Sequence, residues 1–264
     1  MTARPVADLA VRRDGPVLRI AFDRPASLNA VTAQVLDDLA DLVEEAGEDD
    51  DVRVVVLTGT GRAFSSGADL GAAAGAGGST PPGPETLLAA ARVVRALQSV
   101  PQPVVAAVNG PAAGVGCSIA LACDLVVAAE SAYFLLAFTN VGLMPDGGAS
   151  LLVPASVGRA RAMELALVPE RVPAVQAREW GLIHRAVPSS ELDGAVEALV
   201  ARLAAGAPLA LAATKRAVNA ATLHQLDAAL RRETDGQLEL LRTADFAEGV
   251  AAFAARREPR YVGA

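Results

Sequence analysis

Cysteine and histidine are scarce in this sequence, which limits the redox and metal chemistry that it can carry. Its 264 residues include two of each. Cys117 and Cys123 are six residues apart in one apolar segment, whereas neighbours on a helix are three or four apart. We therefore expect two buried thiols and no disulfide. His184 and His224 lie in different segments without a nearby Cys or His, so we expect no metal site.

Long basic runs and long apolar runs are also missing. The formal net charge is −7, and no run of five basic residues is available to neutralise a phosphate backbone, so nucleic acid is not an expected partner. The apolar run 119–129 is broken by Asp124 and is too short to span a bilayer. Charged residues interrupt the N-terminal segment, which lacks the apolar core of a signal peptide. We expect a cytoplasmic protein with no membrane partner.

Apolar residues, by contrast, are abundant and follow a regular pattern. They make up 52% of the chain against 20% charged residues, a composition typical of a folded globular protein. Strand-like and helix-like patterns alternate along most of the chain, whereas its last quarter shows only helical patterns. The sequence therefore predicts an α/β core over residues 1–205 and a helical region over 206–264.

Individual elements follow from local patterns. Strands are predicted over residues 16–22, 52–57, 103–108, 125–128 and 182–187. Thr32 is a predicted cap for a helix that ends near the acidic residues 48–51. Further helices are predicted over 114–122, from Gly148 onward, over 190–204, and as two or three amphipathic helices over 208–257. Residues 71–84 are rich in Gly, Ala and Pro without periodicity, which predicts a mobile loop.

Two segments share one design, in which a β-branched strand runs into a glycine turn that opens a helix. The first is VVVLTGTGRAFSSGADL, ending at Leu70, and the second is VVAAVNGPAAGVGCSIALACD, ending at Asp124. Glycines at a helix N-terminus allow close approach of a ligand and leave backbone N–H groups free. One such turn is ordinary loop chemistry. Two of them in an α/β pattern, without a Walker lysine, indicate a pair of oxyanion-hole donors.

The strings FSSGADL and NGPAAGVGCSIALACD resemble the two signature segments of the enoyl-CoA hydratase/isomerase (crotonase) superfamily. DRPASLNAVT is similar to the family's CoA-binding turn, AFTNVGLMPDGGAS to its active-site segment, and EGVAAFAARREPRY to its C-terminal helix. The resemblance implies a crotonase-type spiral of ββα units. It also implies an acyl-CoA thioester substrate, no cofactor beyond the CoA of that substrate, and a homotrimer or dimer of trimers. The C-terminal region would serve assembly and cover the active site.

The resemblance also implies roles for individual residues. The oxyanion donors would be the backbone N–H groups of Ala68 and Val115. Arg24 would meet a CoA phosphate, and the backbone carbonyl of Ser66 the adenine amine. Lys215 and Phe253 would help to cover the nucleotide. The remaining expected substrate contacts are Asp69, Leu70, Gly71, Gly114, Ser118 and Phe138. Asp69, like Asp124, also resembles a structural hydrogen-bond anchor of the family.

One departure from the family pattern bears on the reaction. The two glutamates of the hydratases fall here on Ser118 and Phe138, and neither residue is equipped to act as a general acid or base on water. Asp146 stands instead where hydratases usually carry glycine, as in double-bond isomerases of the phenylacetate-degradation type. The stretches GRARAMELAL and REWGLIH also resemble that subset. The structural alternative is that Asp146 only caps the helix that begins near Gly148.

These residues predict an isomerase that shifts a 3-enoyl-CoA to a 2-enoyl-CoA through a dienolate, with Asp146 as base and then acid. Phe134, Leu136, Phe138 and Leu143 would form apolar walls that raise the pKa of Asp146, although core packing is the favoured interpretation for each of them individually. Three alternatives stay open at this point. They are a ring-epoxide phenylacetyl-CoA isomerase, a hydratase in which a residue such as Glu85 positions water, and a non-catalytic acyl-CoA binder.

Overall fold

A computed structural model describes residues 6–70 and 83–264 of the chain. The strands in this part are β1 Leu9–Asp14, β2 Val17–Phe22, β3 Val54–Gly59, β4 Val104–Val108, β5 Ala112–Ala113, β6 Leu125–Ala129, β7 Tyr133–Leu135, β8 Val172–Pro173 and β9 Arg185–Val187. The α-helices are α1 Ala33–Gly47, α2 Pro84–Ser99, α3 Val115–Ala122, α4 Ala149–Leu167, α5 Ala174–Glu179, α6 Leu192–Ala204, α7 Pro208–Thr222, α8 Leu226–Leu240 and α9 Ala244–Ala255.

The main sheet has six strands in the order β1-β2-β3-β4-β6-β9. The hairpin of β1 and β2 is antiparallel, and every later neighbour pair is parallel. The central strands are almost continuously apolar because both faces of the sheet are covered. Val55 and Leu57 face a large core shared with α1, α2 and α3, whereas Val54 and Val56 face a smaller cluster with α6. A second, small sheet joins β5, β7 and β8.

Most predicted elements appear within a few residues of their expected bounds. Thr32 caps α1 as expected, since its hydroxyl oxygen accepts a hydrogen bond of 3.3 Å from the Val35 backbone N–H. The helical pattern after residue 207 resolves into α7, α8 and α9. The prediction from Gly148 gives α4, which contains Pro154 and is broken by a non-helical Gly158. The division at residues 205 and 206 stays a prediction.

Several elements were not predicted. Strand β1 extends the sheet at its edge, and α2 starts at Pro84, the last residue of the predicted loop 71–84. Residues 71–82 of that loop lie outside the described residues. In the described part no single helix is long and apolar enough to cross a membrane, and one pair, 189–204 with 208–222, meets that test only when joined across a bend of 107°. Both thiols are buried and unbridged, and burial raises the pKa of Cys117 to about 12.

Candidate active site

The two glycine turns meet. Gly67 has φ of +96°, and a Cβ at this position would lie 2.8 Å from the carbonyl oxygen of Ala113. A Cβ on Gly114 would lie 3.7 Å from Cα of Gly67. The first turn is held from behind, because Val31 pairs with Ala68 as a parallel bridge and accepts a hydrogen bond of 2.9 Å from the Asp69 backbone N–H. At position 67, only glycine fits both the positive φ and this close approach to the Ala113 carbonyl.

Ala68 and Val115, which follow the two turns, line one cavity of about 550 Å³. Val115 is the first residue of α3, so its N–H has no acceptor within the helix. Neither N–H group donates to an acceptor in residues 6–70 and 83–264. Of the other residues expected at the site, the cavity wall includes Ser66, Asp69, Leu70, Gly114, Phe138, Leu143, Asp146 and Phe253. Gly71 lies outside the described residues.

Asp146 brings a carboxylate into this cavity from the loop before α4. The residue is 9% exposed. Its Oδ2 accepts a hydrogen bond of 2.8 Å from Nε2 of Gln237, and its buried Oδ1 has no hydrogen-bond partner in the described part of the chain. Burial raises the pKa of Asp146 to about 7; the hydrogen bond from Gln237 opposes this shift, and the nearby Glu233 adds to it. The group is therefore poised to take up and release a proton near neutral pH.

The alternative that Asp146 caps α4 is wrong. The N-cap position of α4 is Gly148, and neither carboxylate oxygen of Asp146 accepts a hydrogen bond from this helix. Glu233, on α8 and 1% exposed, accepts hydrogen bonds of 2.7 Å from the Gly148 N–H and 2.8 Å from the Ser150 N–H. The carboxylate of Asp146 thus has no capping duty, and it is free to face the cavity.

Ser118 and Phe138, which stand where the hydratase glutamates would be, differ in their placement. Phe138 is 6% exposed and lines the cavity beside Asp146. Ser118 is fully buried, and its hydroxyl donates a hydrogen bond of 2.7 Å to the backbone carbonyl of Asp146. Ser118 is not part of the cavity wall, so its place differs from the expected substrate contact. It supports the loop that carries Asp146.

The apolar wall is only partly the expected one. Phe138 and Leu143 line the cavity. Phe134 and Leu136 are 1% and 3% exposed, lie outside the cavity wall and pack in the main core. Leu241 and Phe253, from the C-terminal region, complete the apolar side. Phe253 is 63% exposed, and it reaches the cavity from the same chain.

Two basic residues expected to contact CoA are engaged within the chain. The Arg24 guanidinium pairs with Asp69 at 2.8 Å and donates a hydrogen bond of 2.7 Å to the carbonyl of Ala30. Lys215 has a side chain only 7% exposed, and its Nζ lies 2.7 Å from Oδ2 of Asp124. These contacts are consistent with the roles expected for Asp69 and Asp124 as anchors. Neither basic side chain is part of the described cavity wall, and their expected roles at CoA stay predictions.

Sequence reasoning missed three residues at the site. Gln237 and Glu233 lie four apart on α8, a spacing that places them on one helix face, but their partners are more than 80 residues away in sequence. Arg62 is exposed, lines the cavity, and has no ion-pair partner in the described part of the chain. The only available signal was a pair of polar residues at helical spacing in an otherwise amphipathic segment. Glu85, weighed as a possible water ligand, is exposed and outside the cavity wall.

Comparison with known proteins gives consistent matches along almost the whole chain. A family model described as enoyl-CoA hydratase/isomerase matches residues 12–264. A protein named probable enoyl-CoA hydratase, from Rhodobacter capsulatus, is 44% identical over 92% of this chain and 93% of its own. The 1,2-epoxyphenylacetyl-CoA isomerase of Escherichia coli is 39% identical over 94% of this chain and 95% of its own.

Solved structures agree with the sequence matches. The crystal structure of an enoyl-CoA hydratase from Mycobacterium avium subsp. paratuberculosis superposes with a TM-score of 0.91 at 50% identity, covering 98% of this chain and all of that one. A crystal structure of an enoyl-CoA hydratase/isomerase from Pseudoalteromonas atlantica gives a TM-score of 0.86 at 34% identity, over 97% of this chain.

Proposed function

The chain belongs to the enoyl-CoA hydratase/isomerase family, with the crotonase-type fold that its motifs predicted, and we propose that within this family it is an enoyl-CoA isomerase. In this proposal it converts a 3-enoyl-CoA to the conjugated 2-enoyl-CoA. The observation that carries the proposal is the buried carboxylate of Asp146, whose Oδ1 has no hydrogen-bond partner in the described residues.

The carboxylates at the cavity favour proton transfer within the substrate over addition of water. Two of them line the described cavity wall, and Asp69 is already paired with Arg24. Asp146 is the other. Hydration calls for groups that hold and activate a water molecule, but the two family positions for that task carry Ser118 and Phe138. One buried carboxylate in apolar surroundings suits a reaction in which the same group removes and returns a proton.

The mechanism uses these groups in two steps. Both the thioester and the 3,4-double bond acidify the C2 protons of a 3-enoyl-CoA, and ionised Asp146 removes one of them. The electron pair delocalises into a dienolate whose oxygen accepts hydrogen bonds from the N–H groups of Ala68 and Val115. Donors of this kind contribute roughly 3 to 4 kcal/mol each to stabilisation of the charged state. Protonated Asp146 then delivers its proton to C4, which leaves the 2,3-double bond conjugated with the thioester.

The apolar residues around Asp146 support this chemistry in two ways. Phe138 and Leu143 line the cavity with it, and they disfavour a water molecule near the dienolate. These apolar side chains also disfavour the charged carboxylate, so they raise the pKa of Asp146 and make it a stronger base. The proposed reaction needs no cofactor, because CoA enters as part of the substrate. A homotrimer or dimer of trimers and a cytoplasmic location remain predictions.

A second candidate reaction uses the same groups on a ring. The Escherichia coli relative with 39% identity is named 1,2-epoxyphenylacetyl-CoA isomerase, which favours a ring-epoxide substrate as the alternative. The relative from Rhodobacter capsulatus is named probable hydratase, which makes hydration the activity to test against.

The test is to incubate the purified protein separately with 3-hexenoyl-CoA, 2-hexenoyl-CoA and 1,2-epoxyphenylacetyl-CoA and to separate the products by chromatography. The proposal expects fast formation of 2-hexenoyl-CoA from the first substrate and little 3-hydroxyhexanoyl-CoA from the second. Dominant formation of 3-hydroxyhexanoyl-CoA identifies a hydratase instead. Turnover of the epoxide alone favours the ring isomerase, and tight binding without any turnover identifies a binder.

A further inference from the structure

Helix α8 places two buried polar side chains, one turn apart, beneath the loop that carries Asp146. Glu233 and Gln237 are 1% and 0% exposed, so both are removed from solvent. Buried polar groups of this kind need hydrogen-bond partners, and the partners of both side chains lie between residues 144 and 150. The C-terminal helical region therefore contacts the candidate active-site segment directly through hydrogen bonds.

The amide of Gln237 has one orientation that satisfies its contacts. Its Oε1 accepts a hydrogen bond of 3.1 Å from the Met144 backbone N–H, which turns the NH₂ group toward Asp146. The NH₂ group donates to Oδ2 of Asp146 at 2.8 Å. This contact holds the carboxyl plane and occupies one of the two oxygens. The other, Oδ1, has no hydrogen-bond partner in the described part of the chain although it is buried.

Glu233 places a second buried carboxylate near that of Asp146. Burial raises the pKa of Glu233. The hydrogen bonds from the Gly148 and Ser150 N–H groups oppose this shift, because they stabilise the ionised form at a helix N-terminus, which favours negative charge. Among the described residues, the carboxylate of Asp146 receives a single hydrogen bond, from Gln237. Two neighbouring carboxylates with unequal donors separate in proton affinity, so the proton goes to Asp146.

We propose that Gln237 and Glu233 are positioning residues for Asp146, and that Oδ1 of Asp146 is the atom that takes the proton from C2 and returns it to C4. The proposal rests on the proposed isomerase function. Gln237 holds Oδ2 throughout the reaction, and Oδ1 is the carboxylate oxygen without a hydrogen-bond partner among the described residues. Glu233 keeps α4 capped and favours the protonated form of Asp146 between the two steps. Neither residue exchanges a proton with the substrate.

The two residues shift the pKa of Asp146 in opposite directions, so their substitutions should have opposite effects on the pH profile. The hydrogen bond from Gln237 lowers the pKa of Asp146, and the charge of Glu233 raises it. The other charged groups of the described cavity wall, Asp69 and Arg62, are the same in every variant, and so is Arg24, which pairs with Asp69. Loss of the Gln237 donor should therefore move the acid limb of the pH profile upward, and loss of the Glu233 charge should move it downward.

The experiment measures kcat and KM for 3-hexenoyl-CoA across pH for Gln237→Met, Glu233→Gln and the control Glu239→Gln, an exposed residue on the same helix. We expect Gln237→Met to lower kcat roughly 10- to 100-fold with a small change in KM, because a hydrogen bond to a charged group is lost. Its acid limb should lie above that of the wild type, and that of Glu233→Gln below it. Glu239→Gln should match the wild type in both respects.

A Gln237→Met enzyme whose acid limb stays at the wild-type pH overturns the proposal. This arm decides the outcome alone if Glu233→Gln fails to fold, because Gln237→Met leaves the cap of α4 in place. The failure of the proposed function has a different signature. In that case the wild-type protein does not isomerise 3-hexenoyl-CoA, or it does so with Asp146→Asn in place.

Discussion

Gly67 and Gly114 lie against each other, with a Cβ on Gly114 only 3.7 Å from Cα of Gly67. This contact joins the end of the segment after β3 to the start of α3, and it brings Ala68 and Val115 to one cavity. The two residues are 47 positions apart in sequence. The proposed oxyanion hole therefore depends on the absence of a side chain at Gly67 more directly than on any side chain that is present.

The first prediction is that Gly67→Ala loses activity while Gly15→Ala keeps it. Both glycines have positive φ, so both substitutions carry backbone strain of about 1 to 3 kcal/mol. Only Gly67→Ala adds a clash, since its Cβ would lie 2.8 Å from the Ala113 carbonyl, whereas Gly15 has no atom within 4 Å. We expect kcat for 3-hexenoyl-CoA to fall at least about 10-fold as the donor turns separate. Equal activity in the two variants would argue against a shared hole.

The second prediction concerns the proposed base. Asp146→Asn keeps the size of the side chain and its contact with Gln237 but removes the proton acceptor. We expect isomerisation to fall by about 10²- to 10⁴-fold, with little change in acyl-CoA affinity measured by calorimetry. Asp235→Asn, an exposed aspartate on α8, is the matched control. Full activity in Asp146→Asn would exclude the mechanism and leave the acyl-CoA site in place.

Local signals predicted the features that depend on neighbours in sequence. The glycine turns, the Thr32 cap and the β-branched strands were predicted because each is determined by a few adjacent residues. Glu233 and Gln237 were not, since they contact the Asp146 segment across 83 to 93 residues of chain. Their roles exist only after α8 packs against the start of α4.

The basic residues illustrate the same limit. An arginine that binds a phosphate and an arginine that pairs with a carboxylate look alike in sequence. Arg24 was expected at CoA and pairs with Asp69, whereas Arg62, which was not singled out, is exposed at the cavity. Which basic residue is free depends on the acids that folding brings near it.

The third prediction is that Lys215, the only lysine of the chain, stabilises the fold rather than the bound substrate. Its Nζ lies 2.7 Å from Asp124 and donates to the carbonyls of Leu97 at 2.7 Å and Gln102 at 3.2 Å. Lys215→Met removes the counter-charge of the Asp124 carboxylate, which is largely buried. Breaking a buried pair in this way costs roughly 3 to 5 kcal/mol.

Urea unfolding of Lys215→Met measures this loss, and Arg216→Met, an exposed neighbour on α7, is the control. KM for 3-hexenoyl-CoA should change by less than about 2-fold, because the side chain is only 7% exposed and is held inside the protein. Unchanged stability together with a several-fold rise in KM would instead support the role at the nucleotide that the sequence suggested.

The last prediction links the proposed base to stability. In the folded protein burial raises the pKa of Asp146 from 3.8 to about 7. Below pH 3.8 the group is protonated in both the folded and the unfolded states. As pH rises through this range the unfolded chain releases its proton first, so the folded state loses stability until the pH passes about 7. A shift of this size corresponds to about 4 kcal/mol at higher pH. Asparagine does not titrate, so Asp146→Asn should be more stable than the wild type at pH 8, by an amount that shrinks as the pH falls below about 7 and disappears below 3.8. Urea unfolding at several pH values measures the difference, with Asp235→Asn as control.

A difference in the free energy of unfolding that is constant across pH would show that folding does not raise the pKa of Asp146. A difference that grows with pH means that the apolar site destabilises the ionised base, so the folded protein is less stable than it would be without this carboxylate. In that case the kcat/KM of the wild type should rise as the pH passes about 7, because Asp146 ionises there.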